Sequence, residues 1–374
     1  MLKHILLAPY YLTLLLRHLF YDIGLIKSRK ADVPTICVGN VTVGGTGKTP
    51  HVEMILRLLE ESPVWKNEPA AVLSRGYRRK TKGFRIVSKE GKAVNFGDEP
   101  MQIKKNFPQV TVAVDKNRIE GCRYLSHPDS VRRNGEIGHN ETFPASSVIV
   151  LDDAFQYRKL KASLSIVLID YYRPVTKDHL LPFGTLRDLP GRISRADILI
   201  VTKCPFALED EEKSEYARKL GFTSFDPSSC EAVRKNGKKQ KLFFTTISYC
   251  HCRPIFEDAD PHYIYSNKVI LFTGIAKDSP LVGHLSDNYK IEHYVNFPDH
   301  HRYTRSDFSE IEHAAKKYPT ALIATTEKDA QRVLDYEWLS KDMRTRLFMV
   351  PIKATFFSEE EKKNFCEILD SLKQ

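Results

Sequence analysis

The segment at residues 34–50, PTICVGNVTVGGTGKTP, limits the possible folds of this chain more than any other part of the sequence. Its first residues form a short apolar run of β-branched type, which predicts a buried strand. The loop that follows contains three glycines, Gly44, Gly45 and Gly47. Because glycine adopts positive φ without steric cost, this loop can turn several backbone N–H groups towards one anion. The segment therefore predicts a strand, a phosphate-binding loop and the start of a helix.

Lys48 and Thr49 open the predicted helix, at the end where the helix dipole attracts anions. In such a loop the lysine reaches the β- and γ-phosphates, and the threonine hydroxyl binds Mg²⁺. The match to G-x-x-x-x-G-K-[ST] departs at its first position, where Thr42 replaces glycine. We expect the nucleotide to contact the whole loop: Thr42, Val43, Gly44, Gly45, Thr46, Gly47, Lys48 and Thr49. The alternative is a glycine-rich turn that ends in a surface lysine.

Apolar strands alternate with helices from residue 33 to about residue 227, which indicates a mostly parallel sheet with helices on both faces. The predicted strands of this part lie at 34–39, 70–74, 110–114, 147–151, 165–169 and 197–202. A second series follows, with strands at 268–273, 289–295 and 320–325 and a closing helix at 358–372. A length of 374 residues exceeds that of most single cores, so we expect two domains.

We therefore predict an α/β fold made of two α/β/α sandwich domains. The predicted parts are an N-terminal helical segment at 1–30, a P-loop NTPase-like core at 31–228, a short β linker at 229–264 and a smaller C-terminal α/β domain at 265–374. The binding site is expected between the two domains, where clefts usually form.

The N-terminal segment has an apolar run from Ile5 to Leu16. This run is shorter than the roughly 20 residues that a membrane-spanning helix needs. Aromatic and cationic residues surround it, which is typical of a helix that lies among lipid headgroups. The alternative is an N-terminal helix that packs into the protein core. We expect a membrane-associated helix.

The formal net charge of +10 indicates a negatively charged partner, such as a phosphorylated substrate or an anionic membrane surface. The basic residues are dispersed and form no aromatic-plus-basic cluster of the RNA-binding type, so we expect no nucleic acid partner. Seven scattered cysteines fit a reducing compartment.

An apolar strand ends in two acids, Asp152 and Asp153, which is the form of a Walker B segment. Acids at the carboxyl end of a strand beside a phosphate loop hold Mg²⁺ or its water ligands. The alternative is a solvated turn at the end of the strand.

Asp98 and Glu99 stand at the start of a predicted helix, after Gly97. Two carboxylates at this place are often helix caps. The functional alternative is that one accepts the proton of an acceptor hydroxyl while the other adds to the metal site. His300 lies beside Asp299 in a loop of the second domain and could orient such a base.

Two further charged segments follow predicted strands. The segment at 74–79, SRGYRR, has three arginines that suit an anionic substrate. The segment at 326–329, TEKD, closes the last strand of the second series, and there surface charge is the simpler interpretation.

The ordered set of motifs GNVTVGGTGKTP, LSRGY, GDEP, VLDDAFQ, LLPFGTLRD, FPDHH and TTEKD resembles the tetraacyldisaccharide 4'-kinase family, the lipid A 4'-kinases of Gram-negative bacteria. The resemblance extends from the N-terminus to about Lys328. It implies ATP-dependent phosphorylation of the 4'-hydroxyl of an acylated disaccharide 1-phosphate, with ATP and Mg²⁺ as cofactors. It also implies a P-loop kinase core, and a threonine or serine at the position of Thr42.

The resemblance also implies roles for individual residues. Asp98 corresponds to the catalytic base, His300 to its partner from the second domain, and Lys48 to the phosphate-binding lysine. The residues that correspond to metal ligands are Thr49, Glu99, Asp152 and Asp153. Those that correspond to positions facing the lipid substrate are Arg75, Tyr77, Arg118 and Gln156. The sequence departs from the family pattern at Arg78, Ala154 and Tyr157, which affects the acceptor contacts more than the phosphate chemistry.

The resemblance places such an enzyme on the cytoplasmic face of the bacterial inner membrane, as a peripheral or monotopic protein. We expect it to act as a monomer. The alternative function is a membrane-attached P-loop NTPase switch that binds a protein partner. Slow ATP hydrolysis that no disaccharide lipid affects would favour this alternative.

Overall fold

The computed structural model describes residues 2–133 and 142–373. The α-helices in these ranges are α1 (Leu2–Asp22), α2 (Lys48–Glu61), α3 (Ala93–Phe96), α4 (Asp98–Asn106), α5 (Arg118–Ser126), α6 (Pro128–Arg133), α7 (Asp210–Lys219), α8 (Ser279–Asn288), α9 (Arg305–Lys317), α10 (Glu327–Val333), α11 (Lys341–Arg346) and α12 (Glu359–Asp370). Short 3₁₀ turns lie at Val175–Lys177, Pro190–Arg195, Pro261–Tyr265 and Ser371–Lys373.

The strands are β1 (Thr35–Gly39), β2 (Ala70–Ser74), β3 (Arg85–Ile86), β4 (Thr111–Val114), β5 (Val148–Asp152), β6 (Leu164–Asp170), β7 (Ile198–Thr202), β8 (Phe222–Asp226), β9 (Glu231–Arg234), β10 (Lys239–Tyr249), β11 (Arg253–Pro254), β12 (Lys268–Thr273), β13 (Lys290–Asn296), β14 (Leu322–Thr326), β15 (Leu347–Val350) and β16 (Ile352–Phe356).

The first sheet is mostly parallel and has the strand order β3-β4-β2-β5-β1-β6-β7-β10-β9-β8. Every residue of β1, β5 and β7 is buried, as expected for strands that helices cover on both faces. The helices α2, α4 and α12 pack on one face, and α1, α5 and α7 pack on the other. Because β1, β2, β5, β6 and β7 run in the same direction, their carboxyl ends form one edge, where a ligand is expected to bind.

The second sheet has the order β11-β15-β14-β12-β13 and is parallel except for β11. The helices α9, α10 and α11 contribute to the core on one face, and α8 packs on the other. Both sheets thus have helices on each side, and the α/β fold class predicted from the sequence is confirmed.

The C-terminal end of the chain returns to the first sheet, which differs from the predicted division at residue 265. Strand β16 pairs antiparallel with β10, and Phe365 of α12 packs in the core of the first sheet. The indole of Trp65 donates a hydrogen bond to the carbonyl of Leu369 at 3.0 Å. The first part of the predicted linker at 229–264 also belongs to this sheet, because β9 pairs with β10 and β10 pairs with β7 in parallel. Its later strand β11 belongs to the second sheet.

Helix α1 lies against the first sheet and presents a broad apolar surface to solvent. Leu7 and Leu14 are buried in the core, whereas other apolar side chains are exposed. The exposed ones of the helix are Tyr10, Tyr11, Leu12, Leu15, Leu16, Leu19 and Phe20. Among the described residues, no helix has both the length and the apolarity needed to cross a bilayer.

Candidate active site

The glycine-rich loop joins β1 to α2, as the sequence predicts. Gly44 and Gly47 have φ values of 94° and 81°, which only glycine adopts easily. Inside the loop, the Asn40 side chain donates hydrogen bonds to the hydroxyls of Thr46 at 2.8 Å and Thr42 at 3.4 Å. The loop is therefore held in an open turn by its own polar side chains.

The segment at 180–188 supports the first half of this loop from outside. Thr42 forms a β-bridge with Leu186, and the backbone N–H of Val43 donates to the carbonyl of Thr185 at 2.7 Å. Thr42 is buried at 6 % exposure. These contacts anchor the loop at Thr42, the position at which the G-x-x-x-x-G-K-[ST] pattern has its first glycine.

His51 is a support of the loop that the sequence analysis did not identify. Its Nδ1 lies 2.7 Å from the carbonyl oxygen of Gly47 and donates to it, while Nε2 lies 2.9 Å from the Thr245 hydroxyl. Burial lowers the pKa of His51 to about 4, so the ring is neutral near pH 7. A neutral ring can donate at one nitrogen and accept at the other, which both contacts require.

The acid pair at the end of β5 lies beside the loop. Asp152 accepts a hydrogen bond from the Ser74 hydroxyl at 2.8 Å. Burial and the neighbouring charge of Asp153 raise the pKa of Asp152 to about 6. The charge of Glu99 makes a smaller contribution in the same direction. A cation bound beside Asp152 and Asp153 would relieve the repulsion between these two carboxylates.

Asp153 has a different environment from Asp152. Burial alone would raise its pKa, but Lys48 and Arg187 outweigh this effect and hold the pKa below its usual value. Lys48 Nζ lies 3.9 Å from Asp153 Oδ2, and Arg187 Nη1 donates to the same oxygen at 3.0 Å. Arg187 also donates to the side chain of Asn40, which joins the acid pair to the phosphate loop.

Sequence reasoning assigned no role to Arg187, although it lies in the quoted motif LLPFGTLRD. The only available indication was membership of that motif, because no spacing connects residue 187 with residue 153. The isolated bridge between Thr42 and Leu186 brings the two segments together.

Asp98 and Glu99 start α4 and face the second sheet, so the capping interpretation is wrong for their side chains. Asp98 Oδ2 lies 3.3 Å from His300 Nδ1 and 2.9 Å from Arg332 Nε. Glu99 Oε1 lies 2.7 Å from Lys328 Nζ. Burial alone would raise the pKa of Asp98, but His300 and Arg332 together keep it below the usual value. Asp98 is therefore ionised near pH 7.

His300 comes from the loop after β13 and has a φ of 61°. Its backbone N–H donates to the carbonyl of Gly274 at 3.1 Å, which holds the loop against the end of β12. Its Nε2 lies 3.3 Å from Lys328 Nζ, and its ring lies 5.4 Å from the ring of Tyr77. Lys328 is thus a contact of both Glu99 and His300, and its interpretation as surface charge is wrong.

The four predicted substrate contacts occupy two kinds of position. Arg75 and Tyr77 are exposed after the end of β2, and the ring of Tyr77 lies 5.4 Å from that of His300. Arg118 is 2 % exposed and donates to the carbonyl of Asp152 at 3.2 Å. Gln156 donates to the carbonyl of Asn40. Arg118 and Gln156 contact the protein in this structure, and their contact with a substrate stays a prediction.

The donors near the loop suit Mg²⁺, which prefers oxygen ligands and usually binds through one or two carboxylates plus substrate phosphates. The hydroxyl of Thr49 and the carboxylates of Glu99, Asp152 and Asp153 are such donors. Within residues 2–133 and 142–373, no group of three or more metal-ligating side chains is assembled. The residues therefore fit an ion that a nucleotide brings with it.

A strand, a phosphate loop, a helix and a strand-end acid pair together define the P-loop class of nucleotide-binding proteins. A family model for tetraacyldisaccharide-1-P 4'-kinase matches residues 2–373. The chain belongs to this family, as the sequence motifs predicted.

Individual relatives agree with the family match. The tetraacyldisaccharide 4'-kinase of Phocaeicola vulgatus is 35% identical over 365 residues, covering 96% of this chain and 91% of that protein. The kinase of the same name from Porphyromonas gingivalis is 36% identical over 356 residues, covering 93% and 90%. Among solved structures, LpxK from Aquifex aeolicus in complex with ATP has a TM-score of 0.67 at 27% identity and covers 99% of both chains.

Proposed function

We propose that this protein transfers the γ-phosphoryl group of ATP to the 4'-hydroxyl of a tetraacyldisaccharide 1-phosphate. The observation that supports the proposal is the contact between Asp98 and His300, at 3.3 Å, in a chain that also has a phosphate loop and a strand-end acid pair. Family membership supports the identity of the substrate. ATP as the donor is supported by the nucleotide bound in the related structure.

At the phosphate end, backbone N–H groups of the loop and Lys48 would hold the β- and γ-phosphates. The residues that would hold Mg²⁺ are Thr49, Glu99, Asp152 and Asp153. The ion would neutralise charge on the transferring phosphoryl group. Arg187 donates to Asp153 at 3.0 Å and, with Lys48, keeps its pKa low, which supports the assignment of an ionised Asp153 to the metal site.

At the acceptor end, Asp98 would accept a hydrogen bond from the 4'-hydroxyl and take its proton as transfer proceeds. The lowered pKa makes Asp98 a weak base. A loose phosphoryl-transfer transition state needs little help from a base early in the reaction, so orientation of the hydroxyl is the larger contribution. Arg75 and Tyr77 are the exposed side chains that we assign to the disaccharide and its charge.

We also propose that the protein has two domains, one around each sheet. His300 belongs to the domain of the second sheet, and Asp98 belongs to the domain of the first sheet. In this division β16 and α12 belong to the first domain, together with residues 31–249. Closure of the two domains would bring Asp98 and His300 into the contact seen here and exclude water that otherwise hydrolyses ATP.

The direct test is transfer of label from γ-labelled ATP to a tetraacyldisaccharide 1-phosphate in detergent micelles. We expect a labelled bisphosphate whose new phosphate is at the 4' position, as mass spectrometry of the fragments can show. ATP hydrolysis that the lipid neither stimulates nor diverts would instead favour the NTPase switch.

We further propose that α1 holds the enzyme as a peripheral protein on an anionic membrane surface, at the cytoplasmic face of the inner membrane, as a monomer. Its exposed leucines would enter the headgroup boundary. Flanking cations would each add about 1 kcal/mol near an anionic surface. A lipid substrate stays in the bilayer, so an enzyme concentrated there meets it more often.

Point substitutions test this better than deletion of α1, because deletion would uncover the cores around Leu7 and Leu14. We expect the triple variant Leu12→Gln, Leu16→Gln and Leu19→Gln to lose flotation with anionic vesicles at an unchanged melting temperature. A matched control substitutes two exposed aromatic residues elsewhere, Phe206→Gln and Tyr265→Gln. Equal flotation of the triple variant and the wild type would contradict the membrane assignment.

A further inference from the structure

Arg332 makes a close contact with the catalytic carboxylate, although it lies 234 residues further along the chain. It belongs to α10, beside the second sheet, and its side chain is only 7% exposed. Its Nε donates to Asp98 Oδ2 at 2.9 Å, and its Nη2 lies 2.8 Å from the same oxygen. His300 Nδ1 is further from that oxygen, at 3.3 Å. Arg332 is therefore the closer partner of Asp98.

The guanidinium of Arg332 is itself fixed from the opposite side. Its Nη1 donates to Asp329 Oδ1 at 2.8 Å and to the carbonyls of His301 at 3.2 Å and Gly274 at 3.4 Å. Asp329 is fully buried and accepts hydrogen bonds from the Thr326 hydroxyl and from the backbone of Gly274. A planar guanidinium held in this way has little freedom to rotate.

These contacts leave the two oxygens of Asp98 in different situations. The donors from Arg332 and His300 meet at Oδ2. In the part of the chain that the structure describes, no side chain or backbone N–H donates to Oδ1. An ionised carboxylate has several lone pairs, so Oδ1 keeps its full capacity to accept a hydrogen bond.

We propose that Arg332 is a positioning residue that fixes Asp98 through Oδ2 so that Oδ1 meets the substrate hydroxyl. This inference rests on the proposed kinase function. Arg332 also binds the carbonyl of His301, so the same guanidinium sets the position of the His300 loop relative to Asp98. Removal of this side chain would free both members of the catalytic pair.

The test compares label transfer by the wild type, Arg332→Met, Arg332→Lys and His300→Ala. A misplacement of about 1 Å costs about 10²-fold in rate, so we expect Arg332→Met to lower kcat by about that factor. The KM for ATP should stay within about twofold, because the phosphate loop is untouched. Arg332→Lys keeps one donor for Oδ2 and should recover part of the loss.

Arg346 offers a matched control for the stability cost of removing a buried arginine. Arg346 ends α11, beside the second sheet, and its side chain is also buried. Its guanidinium donates to the carbonyls of Ala315, Tyr318 and Ala321, and not to Asp98. Arg346→Met should lower the melting temperature while the folded fraction keeps the wild-type kcat. Equal losses of kcat in the Arg332 and Arg346 variants would show a merely structural role.

A double variant decides whether Arg332 acts through Asp98. If it does, Asp98→Asn with Arg332→Met should be no slower than Asp98→Asn alone. Multiplication of the two losses, or a wild-type kcat for Arg332→Met, would overturn the inference while leaving the kinase function intact. If Arg332→Met does not fold, a wild-type kcat for Arg332→Lys overturns it instead. Failure of the wild type to transfer label would reject the proposed function itself.

Discussion

The phosphate end and the acceptor end of the site are assembled in different ways. At the phosphate end, the loop residues from Thr42 to Thr49 are consecutive and connect one strand to one helix of the first sheet. At the acceptor end, Asp98 and His300 lie 202 residues apart and meet where α4 packs against α10, beside the second sheet. We infer that ATP binding depends on the backbone of this one loop, which residues 180–188 and Thr245 support. Acceptor activation depends on the packing of α4 against α10.

A buried polar cluster connects the two ends. The side-chain amides of Gln102 and Asn106, both on α4, each donate to Glu53 and to Glu327. Glu53 belongs to the helix that follows the phosphate loop, and Glu327 starts the helix that carries Lys328 and Arg332. The cluster therefore links α4 to the helix after the phosphate loop and to the helix that carries Arg332.

The largest effect is expected at the phosphate end. Lys48→Ala removes a charge that the transition state needs more than the ground state does, so kcat should fall by about 10³-fold. Lys48 is partly exposed and starts α2, so the melting temperature should change little. The surface variant Lys239→Ala, at a residue paired with Glu231, serves as the control. A near wild-type kcat in folded Lys48→Ala protein would mean that this loop does not hold the phosphates.

A smaller and more selective loss is expected at the acceptor end. Asp98→Asn and His300→Ala should each lower kcat by about 10²-fold, within the range for a lost acid–base group, and leave the KM for ATP nearly unchanged. If the two side chains act as a unit, as we propose, the double variant should resemble the worse single variant. Steady-state kinetics of the three proteins provide the measurement. Full additivity would show that the two residues act separately.

The smallest effect should appear in stability rather than turnover. Burial and the charge of Glu327 raise the pKa of Glu53 to about 7, above its ordinary value of 4.5. The folded protein therefore keeps a proton that the unfolded chain releases, and this stabilisation is lost as the pH rises from about 4.5 to about 7.

The glutamine of the Glu53→Gln variant cannot ionise. The melting temperature of the variant minus that of the wild type should therefore increase when the pH is raised from 5 to 8. A change of 1 kcal/mol corresponds to about 1 °C in a chain of 374 residues, and we expect a gain of this order. Thermal melts at the two pH values provide the measurement. A difference between variant and wild type that does not vary with pH would show that Glu53 titrates normally.

The contrast between consecutive and distant residues also explains which features the sequence predicts. The strand predicted at 70–74 coincides with β2, because short apolar runs and their spacing are local properties. The return of β16 to β10 was missed, because an antiparallel pairing across about 100 residues leaves no local pattern. Arg187 and Arg332 were missed for the same reason. At Asp98 the sequence left capping and catalysis open, and only the contacts with His300 and Arg332 decide against capping.

The most direct measurement is single-turnover transfer from γ-labelled ATP by Asp98→Asn protein, with nucleotide binding measured on the same sample. We expect wild-type ATP affinity together with label transfer slowed by about 10²-fold, because only the acceptor end is changed. Lys48→Ala, in contrast, should weaken nucleotide binding as well as abolish transfer. Unchanged transfer by Asp98→Asn, or loss of its ATP binding, would contradict the separation of the two ends.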